Sequence, residues 1–130
     1  MLRDTTDTGW QVIGQSIEGR DIRLRTVGHG PRVVLWIGGI HGNEPEGAHS
    51  TEQLPAAFLA DPRRAERVTL HLIEDVNPDG RAAHSRFNAA GIDLNRNYGF
   101  GWGQTPGSSG VVGSKYYRGP HPFSEPESWA

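Results

Sequence analysis

The chain contains no cysteine. That excludes a disulfide framework and any thiolate metal site, so a bound metal has to be held by histidine and carboxylates. A charge excess of one sign is also missing. Thirteen Lys and Arg face fifteen Asp and Glu, for a net charge of -2. Neither nucleic acid nor an anionic membrane surface is implied as a partner. No apolar run approaches the roughly 20 residues of a membrane span. The start, MLRDTTDTGW, has no apolar stretch and does not read as a signal peptide, so as it stands the chain reads as cytoplasmic. With 130 residues it is one domain at most, and short for an α/β enzyme. Glycine and proline are plentiful, 18 and 9 residues. They concentrate in the second half, which reads as loop rather than helix.

What is present centres on VVLWIGGIHGNEPEGAHSTEQL, residues 33–54. Val33 to Ile37 is an apolar run suited to a fully buried strand. Gly38 and Gly39 form a turn, and His41 and Glu44 follow. A helix is expected over 46–59, with Ala48, Thr51, Leu54 and Phe58 on one face and a kink or early stop at Pro55. His41 and Glu44 therefore sit on a loop between a strand's carboxyl end and a helix start, where open α/β sheets bind ligands. Imidazole and carboxylate are both zinc ligands, and a catalytic zinc takes three protein ligands and leaves one position open. The same pair also reads as a solvated His and a helix-start Glu, since a bare His-x-x-Glu recurs by accident.

Residues 1–9 read as a loose tail and 10–130 as the folded part. Residues 10–17 and 22–27 are expected to form a hairpin. Residues 61–64 read as a connector, and 68–76 as a strong strand. The strand–helix–strand order from Val33 to Val76 predicts a parallel crossover. Residues 77–123 lack regular periodicity, which in a compact domain marks a functional segment. In it Asn77-Pro78-Asp79-Gly80 reads simply as a turn. Arg86 and the run Asp93-Leu94-Asn95-Arg96-Asn97 suggest recognition of an anion, because a guanidinium fork matches a carboxylate bidentately. A polar loop with local Asx turns is the competing reading. Near the end, Ser124 is expected to cap a helix with Glu127 completing a capping box.

GGIHGNEPEG, NPDG, GIDLNRNY and YRGPHPFSEPE, in that order, resemble the zinc metallocarboxypeptidases (carboxypeptidase A/T-like), and GQSIEGRDI resembles that family's first hairpin. The resemblance spans residues 10–130. It implies an α/β fold, a mixed sheet with helices on both faces, present here as an incomplete amino-terminal portion. It implies a Zn2+ cofactor held by His41 and Glu44, with Asp93 orienting the His41 imidazole. Asn95 and Arg96 would clamp the terminal carboxylate of a peptide or peptide-like substrate, and Arg86 would stabilise the oxyanion while a metal-activated water hydrolyses the last peptide bond. The family's third ligand, a histidine, and its general base, a glutamate, come after the SEPE segment and have no match in residues 1–130. His121 precedes that segment and reads as a surface residue. The chain is therefore expected to be inactive alone and to self-associate through exposed sheet. Related zinc amidases and deacylases, of murein-peptide amidase or aspartoacylase type, share the HGNE and DLNR pattern. A fragment that binds peptide C-termini without catalysis is a further alternative. The family is often secreted, but no pro-segment is recognisable here.

Overall fold

A computed structural model describes residues 6–130. Four strands form one mixed sheet: β1 (Gln11–Gln15), β2 (Asp21–Val27), β3 (Arg32–Ile37) and β4 (Val68–Ile73), in the order β1-β2-β4-β3. β1 and β2 are the expected antiparallel hairpin, and β2 runs antiparallel to β4. β3 and β4 are parallel, from Arg32 beside Val68 to Ile37 beside Ile73. The link between them is α1 (Glu46–Leu59) and α2 (Pro62–Arg67), the helical crossover that parallel neighbours require.

The alternation of β2 and β4 sends side chains to both faces of the sheet. On one face Val27, Leu70 and Leu72 pack with Phe58 of α1 and Ala65 of α2. On the other, Ile22 and Ile73 pack with Val76 beyond the strand. The α/β class and the mixed sheet are as the sequence implied.

Local differences from the sequence reading have physical causes. β3 is apolar but not buried: Val33 is 65% exposed and Leu35 56%. Among the described residues it is the sheet's edge, with only β4 beside it. Pro55 does not stop α1, which continues to Leu59 with Pro55 buried on its inner face. There the helix packs against the sheet, and tertiary contact outweighs the lost backbone donor. The stretch 61–64, read as a connector, opens α2: Asp61 caps it by accepting the Arg63 amide, and Pro62 occupies the first turn. Of the residues read as a loose tail, 1–5 lie outside the described part. Asp7 bridges to Val27, and its carboxylate takes both arms of the Arg25 guanidinium at 2.9 and 2.8 Å.

Beyond β4 come a short helix α3 (Pro78–Ala82), a 3-10 turn (Leu94–Arg96) and α4 (Pro126–Trp129). The capping box expected before α4 does not form. Glu125 takes the cap position without a side-chain cap bond. Glu127 is turned inward, 1% exposed, and accepts from the Ile17 amide at 3.3 Å and the Asn88 amide group at 3.2 Å. Both glutamates stand at the helix start, but their side chains are buried; together with Asn88 they pin the last turn to the loop and the hairpin.

Candidate metal and carboxylate-binding site

His41 and Glu44 lie on the loop from β3 to α1, as the sequence placed them. Gly39 enters it with φ +71°, a conformation a side chain would resist. Gly42 is small for another reason. A Cβ there would stand 1.9 Å from the Gly80 carbonyl carbon, so the loop lies directly against α3. Asn77 fixes that contact from the far side. Its side-chain oxygen accepts the Gly80 amide at 3.0 Å, and its side-chain nitrogen donates to the Ile40 carbonyl at 3.0 Å.

Asp79, in the same short helix, is 2% exposed. It accepts from the Ser16 hydroxyl at 2.7 Å, the Glu18 amide at 3.0 Å and the Arg20 guanidinium at 2.8 Å. Burial alone would raise its pKa, but these donors together hold it below the usual carboxylate range. The Asn-Pro-Asp-Gly stretch is thus more than the turn it reads as. It clamps the β1–β2 hairpin on one side and the His41 loop on the other.

Asp93 is fully buried and is the hub of the site. Its Oδ1 accepts from His41 Nε2 at 3.1 Å and from the Asn95 amide at 3.1 Å. Its Oδ2 accepts from Arg86 Nη2 at 2.8 Å and Nε at 3.3 Å. With Nε2 committed to a carboxylate, the other ring nitrogen of His41 is the one left to bind. That atom, Nδ1, stands 3.3 Å from Glu44 Oε2. Arg86 Nη1 lies 3.8 Å from the second Glu44 oxygen.

The Nδ1–Oε2 pair is the test of whether a metal fits. Two lone-pair atoms aimed at one another need a proton or a cation between them. Ligands about 2.0–2.1 Å from a tetrahedral zinc stand roughly 3.3 Å apart. The separation here is 3.3 Å, and the donor types are those zinc takes. The pair therefore fits two ligand positions. Among the described residues no group of three or more His, Cys, Asp or Glu side chains is placed to hold a metal ion. His121 is exposed and its ring faces the neighbouring Pro122 carbonyl, and His49 is exposed on α1.

An open cleft of about 390 Å³ lies beside this pair, lined by Ile37, Gly39, Ile40, His41, Glu44 and Asn95 among others. Asn95 is exposed, its backbone tied to Asp93, and its side chain makes no hydrogen bond among the described residues. Arg96 is half-buried. One nitrogen donates to the Asn95 carbonyl at 3.3 Å, while its Nε is buried with no partner among the described residues. Arg86 and Arg96 both lie 5.5 Å from the centre of the Tyr116 ring. The six residues singled out in the sequence are thus linked: His41 and Glu44 to each other, His41, Arg86 and the Asn95 amide through Asp93, and Arg96 to Arg86 through the Tyr116 ring. Tyr116 itself was missed, because an aromatic in an aperiodic loop carries no local signal.

The sequence matches the family model described as zinc carboxypeptidase over residues 6–130. It is 29% identical to carboxypeptidase B of Astacus astacus, over 88% of this chain and 45% of that protein. The structure superposes on carboxypeptidase A from Helicoverpa armigera with a TM-score of 0.80 and 26% identity, covering 93% of this chain and 35% of the other. It shares its fold with murein-tripeptide amidase MpaA from Escherichia coli O157, TM-score 0.61 and 24% identity, over 93% of this chain and 52% of that one. The chain spans less than half the length of the curated relatives it matches.

Proposed function

The chain belongs to the zinc carboxypeptidase family, and from that membership we propose that it forms the amino-terminal part of a metallocarboxypeptidase site acting on peptides with a free terminal carboxylate. The observation that carries this reading is the His41–Glu44 pair, 3.3 Å apart, with the far side of the imidazole held by buried Asp93. His41 and Glu44 would hold zinc, and zinc when bound supplies a Lewis acid that acidifies water and polarises a carbonyl. Asp93 fixes the ring tautomer and orientation. Arg86, half-buried and locked to Asp93, puts positive charge where a carbonyl oxygen gains negative charge during hydrolysis. Asn95 and Arg96 receive the substrate's terminal carboxylate and so place the last peptide bond. Among the described residues the buried Nε of Arg96 has no hydrogen-bond partner.

Alone, these residues supply two ligands and no general base, and a preformed complete cage is what gives a metal site its affinity. The chain by itself is therefore inactive and binds zinc weakly. It also self-associates through the open edge of β3. The test is titration of the purified chain with zinc, then incubation with a chromogenic dipeptide-like substrate. We expect weak zinc binding that His41→Ala abolishes, and no turnover. Zinc binding unchanged in His41→Ala would refute the site. Turnover lost on chelation and in His41→Ala would refute the inactivity.

The fold shared with a murein-tripeptide amidase supports one alternative, a zinc amidase acting on cell-wall peptides. A panel of peptides, N-acyl amino acids and cell-wall peptides, offered for binding, separates the two. Preference for ordinary peptides with a free carboxyl end favours the peptidase.

A further inference from the structure

Tyr116 has no part in the roles above, yet three cations surround it. The guanidinium carbons of Arg86 and Arg96 and the Lys115 ammonium each lie 5.5 Å from its ring centre. Like charges gathered so closely repel, and an aromatic face is the group that offsets this, because its quadrupole presents negative potential to each cation. The backbone that carries the ring is held independently of the arginines. The Tyr116 carbonyl accepts from the Ser109 amide at 2.9 Å, and the next carbonyl, of Tyr117, accepts from the Asp93 amide at 2.9 Å. The ring is thus carried on a segment stitched to the Asp93 loop.

The two arginines depend on it unequally. Arg86 has two bonds to Asp93. Arg96 has one long bond, to the Asn95 carbonyl, and a buried Nε with no partner. Little but the Tyr116 face holds the Arg96 guanidinium in place.

We propose that Tyr116 is a positioning residue: its ring holds the Arg96 guanidinium in place, so that it stands ready for a carboxylate-bearing ligand. The proposal rests on the reading that Asn95 and Arg96 receive a terminal carboxylate. Preorganisation of this kind raises affinity by removing the ordering cost of a flexible side chain. It acts on the anion specifically, so a ligand without the carboxylate should not sense it.

The experiment uses one short peptide in two forms, with a free C-terminal carboxylate and with a C-terminal amide. Both are titrated against the full chain and followed by NMR. Variants are Tyr116→Phe, which keeps the face, and Tyr116→Leu and Tyr116→Gln, which remove it; two replacements guard against one that fails to fold. The native chain and the Phe variant are expected to prefer the free acid. The Leu and Gln variants should lose about tenfold in affinity for the acid, and nothing for the amide. Ring-current shifts on the Arg96 side-chain protons should vanish with them and persist in Phe. If the native chain prefers the acid and the Leu and Gln variants keep that preference, the role of Tyr116 is overturned while the carboxylate reading stands. Loss in Phe equal to that in Leu overturns the ring-face argument. A native chain with no preference overturns the carboxylate reading, and the proposal with it.

Discussion

At His41 the chemistry comes down to which ring nitrogen is free. Buried Asp93 takes Nε2 and leaves Nδ1 toward Glu44. The residue between them decides whether that geometry can exist. Gly42 has no room for even a methyl group, since an added Cβ would meet the Gly80 backbone at 1.9 Å. Gly42→Ala should therefore push the loop off α3. We expect a stability loss of about 1–3 kcal/mol, read by thermal melting, together with loss of zinc binding by titration. Retention of both would show that the loop is free to move and that the contact is not what sets the pair. A sequence motif with glycine there suggests flexibility; the structure gives close approach instead.

At the scale of elements, α3 is five residues long and carries more than its length suggests. Through Asp79 it holds the hairpin turn at Ser16, Glu18 and Arg20, and through Asn77 it holds Ile40 just before His41. Asp79→Ala would leave the Ser16 hydroxyl and the Glu18 amide without their partner. That should cost roughly 1–3 kcal/mol, measured by denaturant unfolding at neutral pH. Little change would mean water replaces the carboxylate. β3 shows the opposite relation between sequence and setting. Its residues are as apolar as a central strand's, but it stands at an edge with Val33 and Leu35 exposed. Apolar edge strands are templates for pairing with another chain, and a charge on the edge suppresses this. Sedimentation should show concentration-dependent association of the native chain, reduced in Val33→Lys. Equal association of the two would remove the β3 edge as its cause.

Over the whole molecule, carboxylates that are buried or paired set how stability responds to pH. Burial raises the Glu127 carboxyl above its ordinary 4.5, with neighbouring Glu125 adding to the effect and the Ile17 and Asn88 donors opposing it. A raised carboxyl favours the protonated form in the fold, so its contribution is full below 4.5 and declines as pH rises through the folded value. Asp75, raised from 3.8 chiefly by burial, acts in the same direction. Asp79 and Asp7 are held below 3.8, so their stabilisation is present above that value and is lost as pH falls through the folded ones. Stability should therefore peak in mildly acidic solution. Melting across a pH series should show this, and Glu127→Gln should flatten the decline toward neutral pH. Parallel curves for the two proteins would assign that decline elsewhere.

Much of the fold was legible because it is written in local periodicity. The hairpin, the strand–helix–strand crossover and the buried face of α1 follow from apolar spacing of two or of three and four, which holds whatever the rest of the chain does. The residues at 41, 44, 86, 93, 95 and 96 could be picked out from the sequence motifs, and the structure brings His41, Glu44, Arg86 and Asp93 within contact of one another. What only the tertiary structure decided is what depends on neighbours distant in sequence. The exposure of β3 follows from its place at the sheet edge, not from its composition. The inward turn of Glu127 follows from Asn88 and Ile17, far back along the chain. The assembly of two arginines around Tyr116 depends on a loop whose path no periodicity encodes. Local pattern fixes which backbone shapes are cheap; only long-range packing fixes which side chains meet.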